Sequence, residues 1–143
     1  MKALADRRAR VVRVRRVQHL QAASEAANAQ GRLDQLEDNA ARLTALRSSL
    51  SVAPGMSSGA ALANAVELAQ RLDMAREGLA SAISNARTVA ADRAADRLDA
   101  RRRQESAEKL EMRAVAEMQR MIELRMSSFA RLRPARPGEE DEA

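Results

Sequence analysis

Along residues 29–50 apolar side chains return at alternating intervals of three and four: Leu33, Leu36, Ala40, Leu43 and Leu50, with Arg47 interrupting. That alternation lays them on one narrow stripe of a helix, whereas a strand would repeat every second residue. Carried backward, the register passes through Ala29, Ala26, Ala22, His19 and, beyond Arg15, Val12, so the stripe loses bulk toward the start of the chain. Val11, Val14, Val17 and Leu20 fall elsewhere around the cylinder, which predicts either a shift of register or a second apolar face. A second stripe runs through Ala65, Leu68, Leu72, Ala75, Leu79, Ala82, Ala86 and Val89. It continues through Arg93, Asp96, Ala100, Arg103, Ala107, Leu110, Ala114, Glu117, Met121 and Leu124. Heptads sustained over this length predict a coiled coil, weakened in its middle by Arg93, Asp96 and Arg103.

Between the stripes stands Ser51-Val52-Ala53-Pro54-Gly55-Met56-Ser57-Ser58-Gly59. Proline cannot continue a helix and disfavours helical geometry at the residue before it, and Ser57 or Ser58 can cap the next helix. The chain therefore divides into a helix over 4–50, a loop over 51–59 and a helix over 60–132. Pro134 and Pro137-Gly138 follow, leaving 133–143 as a disordered acidic tail. A short linker returns the second helix antiparallel to the first. The predicted fold is all-α, a single long two-helix antiparallel coiled-coil hairpin. Folding about residue 55 places Met1 near Lys109, so 110–132 overhangs by roughly 30 Å at 1.5 Å per residue. That overhang carries Met118, Met121, Ile122 and Phe129, and unpartnered apolar surface rich in methionine suits a docking partner.

Composition removes the competing architectures. Alanine fills 32 positions and arginine 23, Phe129 is the lone aromatic, and there is no cysteine. Alanine withdraws little surface from water, so an ordinary globular core is out of reach and helices must pack along a thin seam. Disulfides and thiolate metal sites are excluded, which fits a cytosolic protein. Apolar residues nowhere run for the roughly 18 positions of a membrane span. The basic stretch from Met1 to Val17 lacks the apolar core of a secretory signal and reads as mature sequence.

The formal net charge is +5. Glu139, Glu140, Asp141 and Glu142 mask four positive charges, so the remainder carries +9. Arg7, Arg8, Arg10, Arg13, Arg15 and Arg16 make the N-terminal end the most positive block, a surface that attracts anionic partners. These arginines spread around the helix, no aromatic is present to stack on bases, and alanines stand where a basic zipper needs leucines. An acidic protein surface is the preferred partner over nucleic acid. A membrane helix would require Trp or Phe anchors in these turns. Catalysis has little to work with: His19 belongs to the seam, tyrosine is absent, and no glycine-rich loop precedes a helix. Asp92, Asp96 and Asp99 share a helical face, but Arg93, Arg97 and Arg101 to Arg103 lie close enough to neutralise them. No cofactor, metal or small-molecule substrate is expected.

The basic opening Arg13-Val14-Arg15-Arg16-Val17-Gln18-His19-Leu20-Gln21-Ala22-Ala23, the hairpin layout and the stretch Arg101-Arg102-Arg103-Gln104-Glu105-Ser106-Ala107-Glu108-Lys109-Leu110-Glu111 resemble the FliJ family of flagellar export components. More distantly they are similar to the YscO-type stalk proteins of virulence type III secretion. The resemblance implies a non-enzymatic cytoplasmic rod, peripheral to the inner membrane at the flagellar base. It implies binding to a hexameric export ATPase, an export-gate membrane protein and export chaperones. The partner-binding residues expected are Arg8, Arg13, Arg15 and Arg16 at the basic end, Leu50, Val52 and Met56 at the loop, and Met118, Met121, Ile122 and Phe129 on the overhang. The first helix is short for that family, and Arg125-Met126-Ser127-Ser128-Phe129-Ala130 lacks an acidic pair often found near its C-terminus. Two other readings of the residues stand beside it, a homodimeric coiled-coil scaffold and a basic coiled coil that binds nucleic acid.

Overall fold

The computed structural model describes residues 1–50 and 58–132. Two helices, α1 (Lys2–Ser49) and α2 (Gly59–Leu132), pack against each other, and no strand occurs among the described residues. The fold is an all-α helical hairpin. The N-terminus of α2 is set by Ser58, whose Oγ accepts the Ala61 N–H at 3.3 Å and whose carbonyl accepts the Leu62 N–H at 3.1 Å. At the end of α1 the hydroxyls of Thr44, Ser48 and Ser49 donate back to the carbonyls of Ala40, Thr44 and Leu46. Such bonds compete with the helix ladder and suit its last turns. Arg47 and Arg131 place positive charge against the carboxyl ends of the two helix dipoles. Apart from Ser58 and Gly59, the expected loop lies outside the described residues, as does the tail.

The chain divides into two compact units, residues 18–100 and residues 1–17 with 101–143. In the first, Arg47 pairs with Asp73 at 3.3 Å, Glu37 with Arg87 at 2.9 Å and Glu25 with Arg93 at 3.0 Å. Falling numbers on α1 meet rising numbers on α2, so the helices run antiparallel. Its core is Ala29, Leu33 and Ala90, with Ile83 and Ala86 packed on it. In the second unit Arg16 and Glu108 approach to 3.6 Å, and the buried side chains are Ala5, Val12, Ala107 and Ala114.

On α1 burial follows one unbroken heptad, 5, 12, 15, 19, 22, 26, 29, 33, 36, 40, 43 and 47 among its positions. No register shift occurs at Val11, Val14, Val17 and Leu20. They are exposed, and because steps of three fall short of the 3.6-residue turn, they wind around the helix and form no flat face.

On α2 half of the expected seam moves by one residue. Positions 65, 72, 79, 82, 86, 100, 107 and 114 do face inward, and 69, 83, 90, 104, 111 and 118 turn inward beside them. Leu68, Val89 and Leu110, chosen on hydrophobicity, are exposed, while Ala69 and Ala90 turn inward. At 69 and 90 the methyl group takes the seam in place of the neighbouring Leu68 and Val89, whereas Ile83, Gln104, Glu111 and Met118 enter it as larger side chains. Asp96 and Arg103 consequently leave the seam, and 91–99 is exposed throughout.

The overhang is shorter than expected. Met1 and Lys2 lie beside Met118, Met121, Ile122 and Arg125, not beside Lys109. The unpaired end of α2 therefore starts near Glu123 and spans roughly 15 Å.

Candidate partner-docking surfaces

In the unit formed by 1–17 and 101–143, the α1 heptad puts Arg8 and Arg15 at half-buried positions beside the seam. Their aliphatic stems cover the thin alanine contact while the guanidinium groups reach solvent. Arg102 and Arg103 approach from α2, and the four line one groove whose apolar floor includes Val11 and Leu110. No carboxylate lines it. Arg15 and Arg102 are engaged by other groups of the fold, which fixes part of the guanidinium array. A shallow groove with a positive rim and an aliphatic floor is chemically fitted to an amphipathic segment bearing carboxylates.

The same unit holds a second groove, where Met118, Met121 and Ile122 lie between Lys2 of α1 and Arg125. One to two turns further on, Phe129 is 70% exposed, with Met126 and Leu132 exposed beside it in sequence.

Sequence-expected residues thus separate into groups. Arg8 and Arg15 share the arginine groove, and Met118, Met121 and Ile122 share the methionine groove. Arg13 is exposed and lines neither, and Arg16 is directed to Glu108. Leu50 is half-buried just past the end of α1, its N–H donating to the Arg47 carbonyl at 3.4 Å. Val52 and Met56 lie outside the described residues. The sequence reading missed Arg102, Arg103, Lys2 and Arg125. The first pair was legible once 101–104 was set opposite the α1 heptad, which required the register to be known.

In the 18–100 unit the groove is less one-sided in charge. The groove of the 18–100 unit is lined by Glu25, Arg32, Arg93 and two asparagines, Asn28 and Asn85, and its Glu25–Arg93 pair closes across it. Arg93 also reaches Asp96 at 3.7 Å, and Asp99 is engaged within the fold. Among the described residues no group of three acidic, histidine or cysteine side chains is arranged to hold a metal ion. His19 occupies its seam position, half-buried, with Nε2 buried and unpartnered. Along α2, Glu67 pairs with Arg71 at 2.6 Å and Glu105 with Arg101 at 3.0 Å.

The family model of the flagellar FliJ protein matches residues 6–125. The chain belongs to the FliJ family. FliJ-family membership makes it a component of the flagellar export apparatus, and the family is a non-enzymatic one. The matched span takes in all four arginines of the groove and ends at Arg125, before Phe129 and before the acidic residues 139–142. No curated protein and no solved structure matches the chain. None of the described helices is long and apolar enough to cross a membrane.

Proposed function

We propose that this FliJ-family protein works in flagellar export by docking, not by catalysis, and that the end bearing the two grooves is its contact with the export ATPase. The observation that carries the reading is the groove of Arg8, Arg15, Arg102 and Arg103, which lies inside the matched span and has no carboxylate in its lining. Positive charge over an aliphatic floor recruits an acidic partner surface through steering and through charge-assisted hydrogen bonds. Leu62 and Val66, exposed on the first turns of α2, offer a separate contact at the loop end, which we assign to the export gate. Escort of export chaperones uses the same exposed apolar turns. The protein is cytoplasmic and reaches the membrane only through these partners.

The test is stimulation of the cognate export ATPase by the full chain, read beside Arg8→Glu with Arg103→Glu. The reading expects stimulation by the parent chain. It expects ATPase binding by the double variant to weaken by roughly 10- to 100-fold, equivalent to about 1.4–2.8 kcal/mol, with unchanged helicity. A parent chain that neither stimulates the ATPase nor co-purifies with it sinks the reading.

A further inference from the structure

We propose that the methionine groove between Lys2 and Arg125 is a docking site for this chain's own acidic segment, Glu139-Glu140-Asp141-Glu142. Three observations converge on this occupant, and none depends on the export reading.

The first is charge. Around the groove, residues 1–8 and 113–132 contribute Lys2, Arg7, Arg8, Arg113, Arg120, Arg125 and Arg131 against Asp6, Glu117 and Glu123. Neither Lys2 nor Arg125 forms an ion pair with any described residue. The segment 139–142 is a run of four consecutive carboxylates and the densest negative charge in the sequence. By contrast, the glutamates facing α2 in the other unit, Glu25 and Glu37, already have arginine partners.

The second is reach. At 1.5 Å per residue along α2, Arg125 lies about 10 Å from Leu132 and Met118 about 20 Å. Seven residues from Leu132 to Glu139 span up to about 23 Å, and ten to Glu142 up to about 33 Å. The carboxylates therefore reach the whole groove with slack for a reversal of the chain after Leu132. Arg103 lies about 44 Å from Leu132, beyond that span. Chain length thus puts the whole methionine groove within reach of the tail, whereas Arg102 and Arg103 of the arginine groove lie out of range.

The third is the apolar floor. Met118, Met121 and Ile122 present partly exposed, adaptable surface between the two cations, and the spacer offers Pro134, Ala135 and Pro137 to lie on it. The short tether keeps the effective concentration of carboxylates high, so weak individual pairs suffice for occupancy at low salt.

A spin label decides the matter, since the chain has no native cysteine. With Ala143→Cys labelled on the full chain, amide signals of residues 2–6 and 118–125 are expected to broaden at about 0.02 M salt and to recover at about 0.5 M. The broadening is also expected to vanish in the tail variant Glu139→Gln, Glu140→Gln, Asp141→Asn, Glu142→Gln, and in Lys2→Gln with Arg125→Gln. Helicity by circular dichroism checks that the helices persist in both. Broadening confined to residues next to Leu132, or indifferent to neutralising the tail, overturns the proposal. So does broadening at 102–110. Labelled chain mixed with isotopically enriched unlabelled chain detects docking on a second copy, and a signal of that kind in place of the intramolecular one also overturns it. Failure of ATPase stimulation would leave every one of these readouts in place.

Discussion

The two units solve the same packing problem with different materials. Residues 18–100 join their helices by a cluster in which Leu33 meets Ile83 between alanines, with Arg47–Asp73, Glu37–Arg87 and Glu25–Arg93 paired across the seam. In residues 1–17 with 101–132 Arg16 and Glu108 approach only to 3.6 Å, and the buried side chains are three alanines and a valine. The first sets Arg47, Arg87 and Arg93 against carboxylates of the opposite helix, while the second carries an excess of basic over acidic residues. The difference separates two duties: one region spends its side chains on holding the hairpin together, and the other spends them on a surface that a binding partner completes.

The largest expected effect tests the holding region. Leu33 is 8% exposed and has no equal in the alanine seam around it. Leu33→Ala should cost about 2–3 kcal/mol, the low end for buried leucine because a two-helix seam collapses easily. The denaturant midpoint reads it, and a loss under about 0.5 kcal/mol would erase the contrast between the units. Next comes the thin seam of the basic unit. Ala107→Leu inserts a side chain where only a methyl fits and should destabilise by about 1–3 kcal/mol. A stabilised Ala107→Leu would mean that the helices there are not in close contact.

Smaller effects sharpen the picture. Gly78 lies inside α2 with open space where a Cβ would sit, so Gly78→Ala should add about 0.5–1 kcal/mol of stability by thermal melting. The Glu37–Arg87 pair is exposed, and a double-mutant cycle should return a coupling of about 0.2–1 kcal/mol that fades with salt. Least of all, Val89→Ser should change stability by under about 0.5 kcal/mol, since Val89 is 50% exposed. A cost near that of Leu33→Ala would return Val89 to the seam and undo the register given for α2.

The hairpin was legible because its signals are local: the three-and-four spacing of Leu33, Leu36, Ala40 and Leu43, and Pro54 with a serine cap after it. The α1 register could be read down to Val12 for the same reason. On α2 the reading preferred Leu68 and Val89 over Ala69 and Ala90, because hydrophobic bulk normally marks the interior. At 69 and 90 the methyl group takes the seam, and that preference fails. The arginine groove was hidden for a related reason. Arg8, Arg15, Arg102 and Arg103 meet only under one inter-helix offset, and no motif in the sequence marks that offset. Assuming symmetry about Pro54-Gly55 put Met1 near Lys109 and displaced the methionine groove by nearly three turns.

The near-uniform alanine seam has one more effect. Two surfaces that repeat every seven residues with the same small side chain fit almost equally well after sliding by two turns, about 10 Å. Within residues 18–100 such a slide would leave the methyl contacts nearly as they were, but it would unseat Leu33 and separate Arg47 from Asp73, Glu37 from Arg87 and Glu25 from Arg93. Ion pairs too weak to hold the helices together can still act as the marks of a vernier, choosing one alignment among several that the seam alone would accept.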